Sequence, residues 1–313
     1  MKNGPLISVI MPLYNKRPYV ARAVKSVMEQ TYENWELIII DDGSTDGSSD
    51  AIPHGNPRIK LLRQTNRGPA AARNAAIRAA SGEYVAFIDA DDCYYPFKLE
   101  QEIACLWEGQ KAEWMMSAYD WQVNGQTTRY YMKDINREEV NKETKVFDDA
   151  LEQLTVSGWP SDGLFMRKSL FERLGGFNEN MRYGEISEFI LRCAAAQPRV
   201  LICHLALYLH IDVPLSTAKV TNRNEFHKQI GKTLVGLAKN YPQYSGLLIG
   251  RGYSHLISYS QSLILAGKGR EARRFLFEEF RMEFLARWAL LWMASWLPKG
   301  LLARIPKTAK GWL

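Results

Sequence analysis

No stretch of the chain reaches the roughly 18 to 20 consecutive apolar residues needed to span a bilayer. No cleavable leader pattern stands at the N-terminus either: the apolar run Leu6 to Leu13 is short and holds Pro12, so it reads as a strand. The expectation is a cytoplasmic protein, free or attached to a membrane face. Cysteine is scarce. Cys93, Cys105, Cys193 and Cys203 form no C-x-x-C pair, which excludes a zinc knuckle and a thioredoxin-like motif and leaves free thiols in a reducing compartment. The G-x-G-x-x-G turn of dinucleotide-dependent oxidoreductases is missing after the first strand, where Met11-Pro12-Leu13-Tyr14-Asn15 stands instead. Internal repeats and low-complexity tracts are absent, so neither a solenoid nor a disordered chain is indicated.

What is present is an ordinary globular composition. Hydrophobic residues make up 46% and charged residues 24% of 313 positions, enough for a sizeable core. The net charge of +6 is unevenly placed. Lys268 to Leu313 carries ten Lys/Arg against four Asp/Glu, which accounts for the whole excess. Such a tail suits an anionic partner or a solvated basic surface. Its tryptophans have few interleaved basic residues and fit base-stacking poorly, so no nucleic-acid partner is expected.

The first hundred residues alternate short apolar strands with helices. Strands are expected at Ile7 to Met11, Trp35 to Ile40, Arg58 to Leu62 and Tyr84 to Ile88. Helices are expected at Pro18 to Gln30 and Gly68 to Ala80. This pattern predicts an α/β fold with a parallel sheet covered on both faces. Further on, the sequence suggests a strand at Glu113 to Asp120, a hairpin turn at Val123-Asn124-Gly125-Gln126, a strand at Leu164 to Met166 and a helix capped by Ser169. A second helix is expected at Ile186 to Ala196, and after Asn222 the pattern is helical.

Two acidic loops follow strands, and in such sheets ligands bind at the strands' carboxyl ends. The first is Asp41-Asp42-Gly43-Ser44-Thr45-Asp46. A carboxylate there suits a nucleobase N–H, and it equally suits a cap for the short segment Ser48 to Ile52. The second is Asp89-Ala90-Asp91-Asp92. Three carboxylates in four residues repel one another unless a cation neutralises them, and hard oxygen ligands favour Mg²⁺ or Mn²⁺ beside a diphosphate.

These blocks occur in a telling order. Ser8 to Asn15 (S-V-I-M-P-L-Y-N), Ser26 to Gln30 with Thr31-Tyr32, Glu36 to Asp46, and Asn66 to Asn74 (N-R-G-P-A-A-A-R-N) lead to Gly82-Glu83-Tyr84 and to Phe87 to Asp92 with Pro96. This region resembles family-two glycosyltransferases of the GT-A fold, closely from Ile7 to Leu99 and more loosely to Tyr208. The resemblance implies a Rossmann-like nucleotide-diphospho-sugar transferase domain over 1–222, with a nucleotide half at about 1–100 and an acceptor half at about 101–222. A helical C-terminal region over 223–313 would follow. It also implies site roles. Pro12, Tyr14 and Asn15 would lie at the nucleotide, Asp41 or Asp42 would bind the base, usually uracil, and Arg73 would face the nucleotide. Asp89 would contact the ribose or sugar, and Asp91 would hold a divalent metal, Mn²⁺ or Mg²⁺. The partners implied are a nucleotide-sugar donor and a glycan or lipid-linked acceptor.

One departure bears on catalysis. The family's Gly-Gly-Phe segment is present as Gly175-Gly176-Phe177 and its later arginine as Arg192. Ile186, however, stands where the family places its catalytic Asp. Isoleucine cannot accept a proton, so the general base would be Glu185, Glu188 or Asp162, with Glu185 favoured. The other reading is a catalytically weak or silent nucleotide-sugar-binding scaffold.

In the tail, Trp288, Trp292 and Trp296 recur every fourth residue of the apolar run Leu285 to Leu297, and Lys299, Arg304, Lys307 and Lys310 follow. An interfacial helix on an anionic membrane, using residues 284–313, and a helix packed on the protein are both consistent with this pattern.

Overall fold

A computed structural model describes residues 4–107, 112–130, 144–154, 161–181, 183–213, 223–279 and 285–296. Trp159, Pro160, Lys299, Arg304, Lys307, Lys310 and the side chain of Trp288 lie outside the described residues. The chain forms two compact units, 1–219 and 220–313.

The first unit is built on one mixed sheet. The strands are β1 Ile7–Leu13, β2 Trp35–Asp41, β3 Ile59–Arg63, β4 Tyr84–Phe87, β5 Cys93–Tyr94, β6 Trp114–Val123, β7 Gln126–Tyr130, β8 Thr144–Phe147, β9 Leu164–Arg167 and β10 Val200–Ile211. The main path runs β3-β2-β1-β4-β9-β6-β10-β5, with β7 on β6 and β8 on β10. β1 to β4 are mutually parallel where they pair, while β9 runs antiparallel between β4 and β6. Helices α1 Arg17–Met28, α2 Pro69–Arg78, α3 Lys98–Trp107, α4 Ala150–Leu154, α5 Lys168–Arg173 and α6 Glu185–Ala196 accompany it. β1, β2 and β4 are almost wholly buried, as their near-continuous apolar runs require. α2 buries Ala70, Ala71, Ala72 and Ala76, small side chains that let this helix carry Arg73 and Asn74 into the interior.

Two expectations need correction, and the longest strand was missed. β1 continues through Pro12 to Leu13, where a strand end had been expected at Met11. The reason lies in the ladder: β4 pairs β1 only as far as Ile10, and Ile88 N–H donates to the Ile10 carbonyl. Residues 8, 10 and 12 face that side, so the N–H that proline lacks has no strand left to bond. Ser169 does not cap a helix, because α5 already begins at Lys168. β10, twelve residues long, was not foreseen. Its mostly buried run VLICHLALYLHI shows neither strict alternation nor a helical stripe.

The second unit holds α7 Arg223–Asn240, α8 Ser245–Leu265, α9 Gly269–Glu278 and α10 Leu285–Ala294. α7 and α8 meet at a glycine contact. A Cβ on Gly231 would stand 2.6 Å from Leu256, and one on Gly252 would stand 3.0 Å from the Gly231 carbonyl. Only glycine allows that approach without a shift. Tyr253, Leu256, Ile257, Leu263 and Ile264 of α8 pack with Phe275 and Leu276 of α9 and with Leu291 and Ala294 of α10. Beyond α10, Trp296 is 64% exposed, and Trp292 and Met293 are also exposed. The tail helix therefore buries one side and presents aromatic surface on the other.

α7 and α8 also share a histidine pair, with His227 Nδ1 2.9 Å from His255 Nδ1. Burial, then the charges of His227 and Arg251, push His255 down to about 4 from its ordinary 6.5. The folded protein holds this ring neutral where the unfolded chain takes up a proton. The stability it contributes is thus complete above pH 6.5 and falls as pH drops toward 4. Urea denaturation of the full chain at about pH 7 and about pH 5 tests this. His255→Phe is expected to lose less stability across that interval than the parent, and identical losses would exclude the pair as a contributor.

Candidate active site

The carboxyl ends of β1, β2 and β4 lie on one edge of the sheet because the three strands are parallel neighbours. From β1 come Tyr14, which is 48% exposed, and Asn15, held at φ +50°. Asn15 ties two loops together. Its N–H donates to Ser44 Oγ at 3.1 Å, and its Oδ1 accepts from Thr45 N–H at 2.9 Å. Pro12, half-buried, precedes them opposite Ile40.

From β2 come Asp41 and Asp42, and the loop itself uses both carboxylates. Asp41 is fully buried. It accepts from Ser44 N–H at 2.7 Å and from the Ser49 hydroxyl, and it pairs with Arg63 at 3.4 Å. Burial alone would raise its pKa, but the Ser49 and Ser44 hydrogen bonds outweigh that and hold it below the usual carboxylate range. Asp42 accepts from Gln64 Nε2 at 2.7 Å, Arg67 N–H at 2.9 Å and Gly68 N–H at 2.8 Å, fixing the entry to α2. Gly43, at φ +80°, turns the chain between the two roles, a backbone conformation costly for any residue with a Cβ. The capping of the segment after Gly47 falls to Asp46, whose Oδ1 accepts from Ser48 N–H at 2.9 Å.

β4 leads into Asp89, Asp91 and Asp92. Carboxylate oxygens of Asp89, Asp92 and Asp162 approach within 4.8 Å of one another. Asp162 sits in a single 3₁₀ turn, fully buried, and accepts the Asp89 N–H at 3.1 Å. Asp92 accepts from Ile211 N–H at 2.8 Å and meets His210 Nδ1 at 2.8 Å. Burial works against a charged His210 ring, but the Asp92 hydrogen bond and the charges of Asp92, Asp89 and Asp91 prevail and raise its pKa. Asp91 is 9% exposed and is engaged by Lys16 Nζ rather than by that trio. Burial first and then Asp89 raise the Asp91 pKa, with Lys16 opposing. Hard carboxylate oxygens this close fit a divalent cation of the Mg²⁺ or Mn²⁺ kind.

Arg73 joins this cluster to the other half of the sheet. Its guanidinium is 3% exposed, with Nη2 2.6 Å from Asp89 Oδ1 and Nη1 3.1 Å from Glu185 Oε1. Burial acts to lower its pKa, but Asp89 and Glu185 outweigh it and raise the value, so the group stays cationic. Glu185 opens α6 and is 8% exposed; Ile186 beside it is half-buried. Arg73 engages one Glu185 oxygen, and no hydrogen bond falls on Oε2 among the described residues. Glu188 is placed differently. Arg192 Nε and Nη2 take its two oxygens at 2.8 Å each, and the same guanidinium donates to the carbonyls of Leu174 and Gly176. That carboxylate orients the arginine that ties α6 to the Gly175-Gly176 turn.

The structure thus brings Asp89, Asp162, Arg73 and Glu185 together, with Asp91 alongside, and directs Glu188 to Arg192. Sequence reasoning missed two residues. His210 ends an apolar run that was not read as a strand, although a polar tip on such a run is a signal. Lys16 follows Tyr14-Asn15 directly, one residue past the block already singled out.

Residues 8–175 match the profile of the family described as Glycosyl transferase family 2. A UDP-Glc:alpha-D-GlcNAc-diphosphoundecaprenol beta-1,3-glucosyltransferase, WfgD of Escherichia coli, is 42% identical over 103 residues, 32% of this chain and 41% of that protein. The putative teichuronic acid biosynthesis glycosyltransferase TuaG of Bacillus subtilis is 44% identical over 108 residues, 33% of this chain and 43% of its own. An uncharacterized glycosyltransferase of Rickettsia conorii is 47% identical over 108 residues, 34% of this chain but 18% of its own. The aligned stretch spans less than half of each of these relatives. Among solved structures, S. aureus TarS 1–349 in complex with UDP superposes with TM-score 0.63 at 18% identity, covering 92% of this chain and 79% of that one. Mannosyltransferase PcManGT from Pyrobaculum calidifontis, in complex with GDP-Man and Mn²⁺, gives 0.60 at 19% identity, covering 99% and 84%. These likenesses identify the fold as that of GT-A glycosyltransferases. Because the family profile covers more than half of its residues, the chain belongs to glycosyl transferase family 2.

Proposed function

We propose that the chain is a metal-dependent, inverting glycosyltransferase. In this reading it moves a sugar from a UDP-linked donor to a hydroxyl of a glycan or lipid-linked acceptor in envelope polysaccharide biosynthesis. The observation that carries the reading is the buried Arg73 bridge, which sets Glu185 beside the acidic trio Asp89, Asp92 and Asp162. The names of the E. coli and B. subtilis relatives support the acceptor class, and the UDP complex of TarS supports the nucleotide.

Pro12, Tyr14 and Asn15 line the base and ribose, with Asp41 and Asp42 shaping the loop that receives the base. Asp91 and the trio would hold a divalent cation, which would supply neutralising charge at the diphosphate. Glu185 accepts the acceptor's hydroxyl proton through its unengaged oxygen as that hydroxyl oxygen bonds to the sugar C1. The bond from C1 to the diphosphate oxygen breaks, and the electron pair leaves with the nucleoside diphosphate. Attack opposite the leaving group inverts C1. Asp162, buried and bonded to the Asp89 N–H, fixes the acidic loop.

Calorimetric titration of UDP, GDP and CDP with and without Mn²⁺ tests the donor site. One nucleotide is expected to bind in a metal-dependent way, and Asp91→Ala is expected to abolish that binding. Glu185→Gln should retain nucleotide affinity and lose about 100-fold or more in turnover, the size of a general-base contribution. Nucleotide binding without sugar transfer in the parent protein would favour the scaffold reading that Ile186 raises. No binding of any nucleotide would overturn both.

We also infer that the tail rests on an anionic membrane surface. Among the described residues no helix is long and apolar enough to cross a membrane. Trp292, Met293 and Trp296 are exposed, and the sequence continues into Lys299, Arg304, Lys307 and Lys310. Such a face suits the headgroup boundary, where aromatic rings insert and basic residues meet anionic lipid. Since Leu291 and Ala294 are buried in the helical core, truncation would uncover that core, and point substitutions are the cleaner test. Trp292→Ser with Trp296→Ser is expected to reduce sedimentation with phosphatidylglycerol vesicles at least about fivefold, the scale of losing two interfacial rings. Unchanged sedimentation would remove the tail from membrane attachment.

A further inference from the structure

Lys16 has no role in the reading so far, yet its two ends lie in the two halves of the nucleotide site. Its backbone is rooted in the loop pair at the base end. Lys16 N–H donates to Ser48 Oγ at 2.8 Å, Asn15 N–H to Ser44 Oγ at 3.1 Å and Arg17 N–H to Asp46 Oδ2 at 3.0 Å. Its ammonium, at the other end, is on the carboxylate of Asp91. A nucleoside diphosphate with its base against the 41–46 loop and its phosphates at Asp91 has to run along the path this side chain spans. The Asp91 main-chain carbonyl also accepts from Arg22 Nη2 at 3.4 Å, so a second cation of α1 flanks the same loop.

The charge arithmetic gives the contact a purpose. Asp91 stands in a segment with Asp89 and Asp92, near Asp162, and repulsion among these carboxylates disfavours the loop when nothing positive is bound. The Lys16 ammonium supplies that charge to Asp91 in the absence of metal. It does so reversibly: the two side chains are 20% and 12% exposed, and ion pairs that reach solvent contribute little net stability. Lysine is suited to such an exchange, being a compact charge with three donors on a flexible stem, where an arginine fork would bind the carboxylate more rigidly.

We propose that Lys16 is a resident counter-ion, which holds Asp91 while the site has no metal and turns to the donor's diphosphate once Asp91 binds one. This rests on the nucleotide-sugar reading above. It makes Lys16 a competitor of the metal in the free protein and a ligand of the phosphates in the loaded one. A fixed structural salt bridge would show neither behaviour.

The two roles predict opposite effects of one substitution. Full-length Lys16→Met, with parent-like circular dichroism, is titrated with Mn²⁺ alone, following free Mn²⁺ by electron paramagnetic resonance. Its affinity is expected to rise about fivefold, the worth of one partly exposed ion pair. Titrated with UDP in the presence of saturating Mn²⁺, the same variant is expected to bind about tenfold more weakly, while its affinity for uridine is unchanged. Lys16→Arg should restore most of the UDP affinity. Mn²⁺ affinity that is unchanged or lower in Lys16→Met, or equal losses for UDP and uridine, would overturn the proposal while parent binding of UDP and Mn²⁺ left the nucleotide-sugar reading intact. A parent protein that binds neither Mn²⁺ nor UDP would overturn both.

Discussion

A single buried guanidinium joins the two halves of the sheet at the site. Arg73 is carried inward on an alanine-rich helix and placed between Asp89, which follows β4, and Glu185, which opens α6. Both partners are needed for a cation at 3% exposure, since an unpaired buried charge costs several kcal/mol (about 3 to 5). The neighbouring Asn74 repeats the device with neutral groups. Its amide donates to the Phe177 carbonyl and its oxygen accepts the Phe177 N–H, both at 2.9 Å. α2 therefore fixes the Gly-Gly-Phe turn and the start of α6 from one side, and Glu188 with Arg192 fixes them from the other.

Around that anchor the site is an excess of carboxylate held in partial balance. Asp89, Asp91, Asp92, Asp162 and Glu185 converge, and the groups that answer them among the described residues come from distant parts of the chain: Lys16 from the residue before α1, Arg22 from within α1 on the Asp91 carbonyl, Arg73 from α2 and the His210 ring from β10. The sheet makes this convergence possible, since β1, β4 and β10 all deliver their carboxyl ends to one edge. Backbone donors do the rest, with Asp89 N–H serving Asp162 and Ile211 N–H serving Asp92. A framework of this kind is set before any ligand arrives, which is how a fold favours charge developing on a leaving group over charge on the substrate.

Much of this was legible in the sequence, where residue type and neighbourhood agree. β1, β2 and β4 announce themselves as apolar runs ending in turn residues, and α2 as an alanine run opened by Gly68-Pro69. The family resemblance then singled out Arg73, Asp89 and Asp91, of which the structure pairs the first two. What stayed hidden depends on pairings across long sequence distances. Pro12 extends β1 only because β4 ends early beside it, and nothing local to Pro12 says so. β10 is buried along most of its length, so its apolar run carries no period. His210 was lost with it. Asp41 and Asp42 read equally well as base ligands and as loop staples. The structure supplies the second role in full through Ser44, Ser49, Gln64, Arg67 and Gly68, and the first still rests on resemblance.

The substitution at Ile186 is best understood through what the adjacent glutamates are already doing. A base needs an oxygen that is not committed elsewhere. Glu188 has none to offer, because Arg192 takes both, and releasing it would loosen the Gly175-Gly176 turn. Glu185 gives one oxygen to Arg73, and among the described residues no hydrogen bond falls on the other. It also has one more methylene than aspartate, which extends its reach from a position one residue earlier, about 100° around the helix from Ile186. The same ion pair that orders the site therefore orients the carboxylate proposed as the base. In the proposed reading Arg73 orients the base without touching the acceptor, and the role the family assigns to the position of Ile186 passes to a neighbour already held in place.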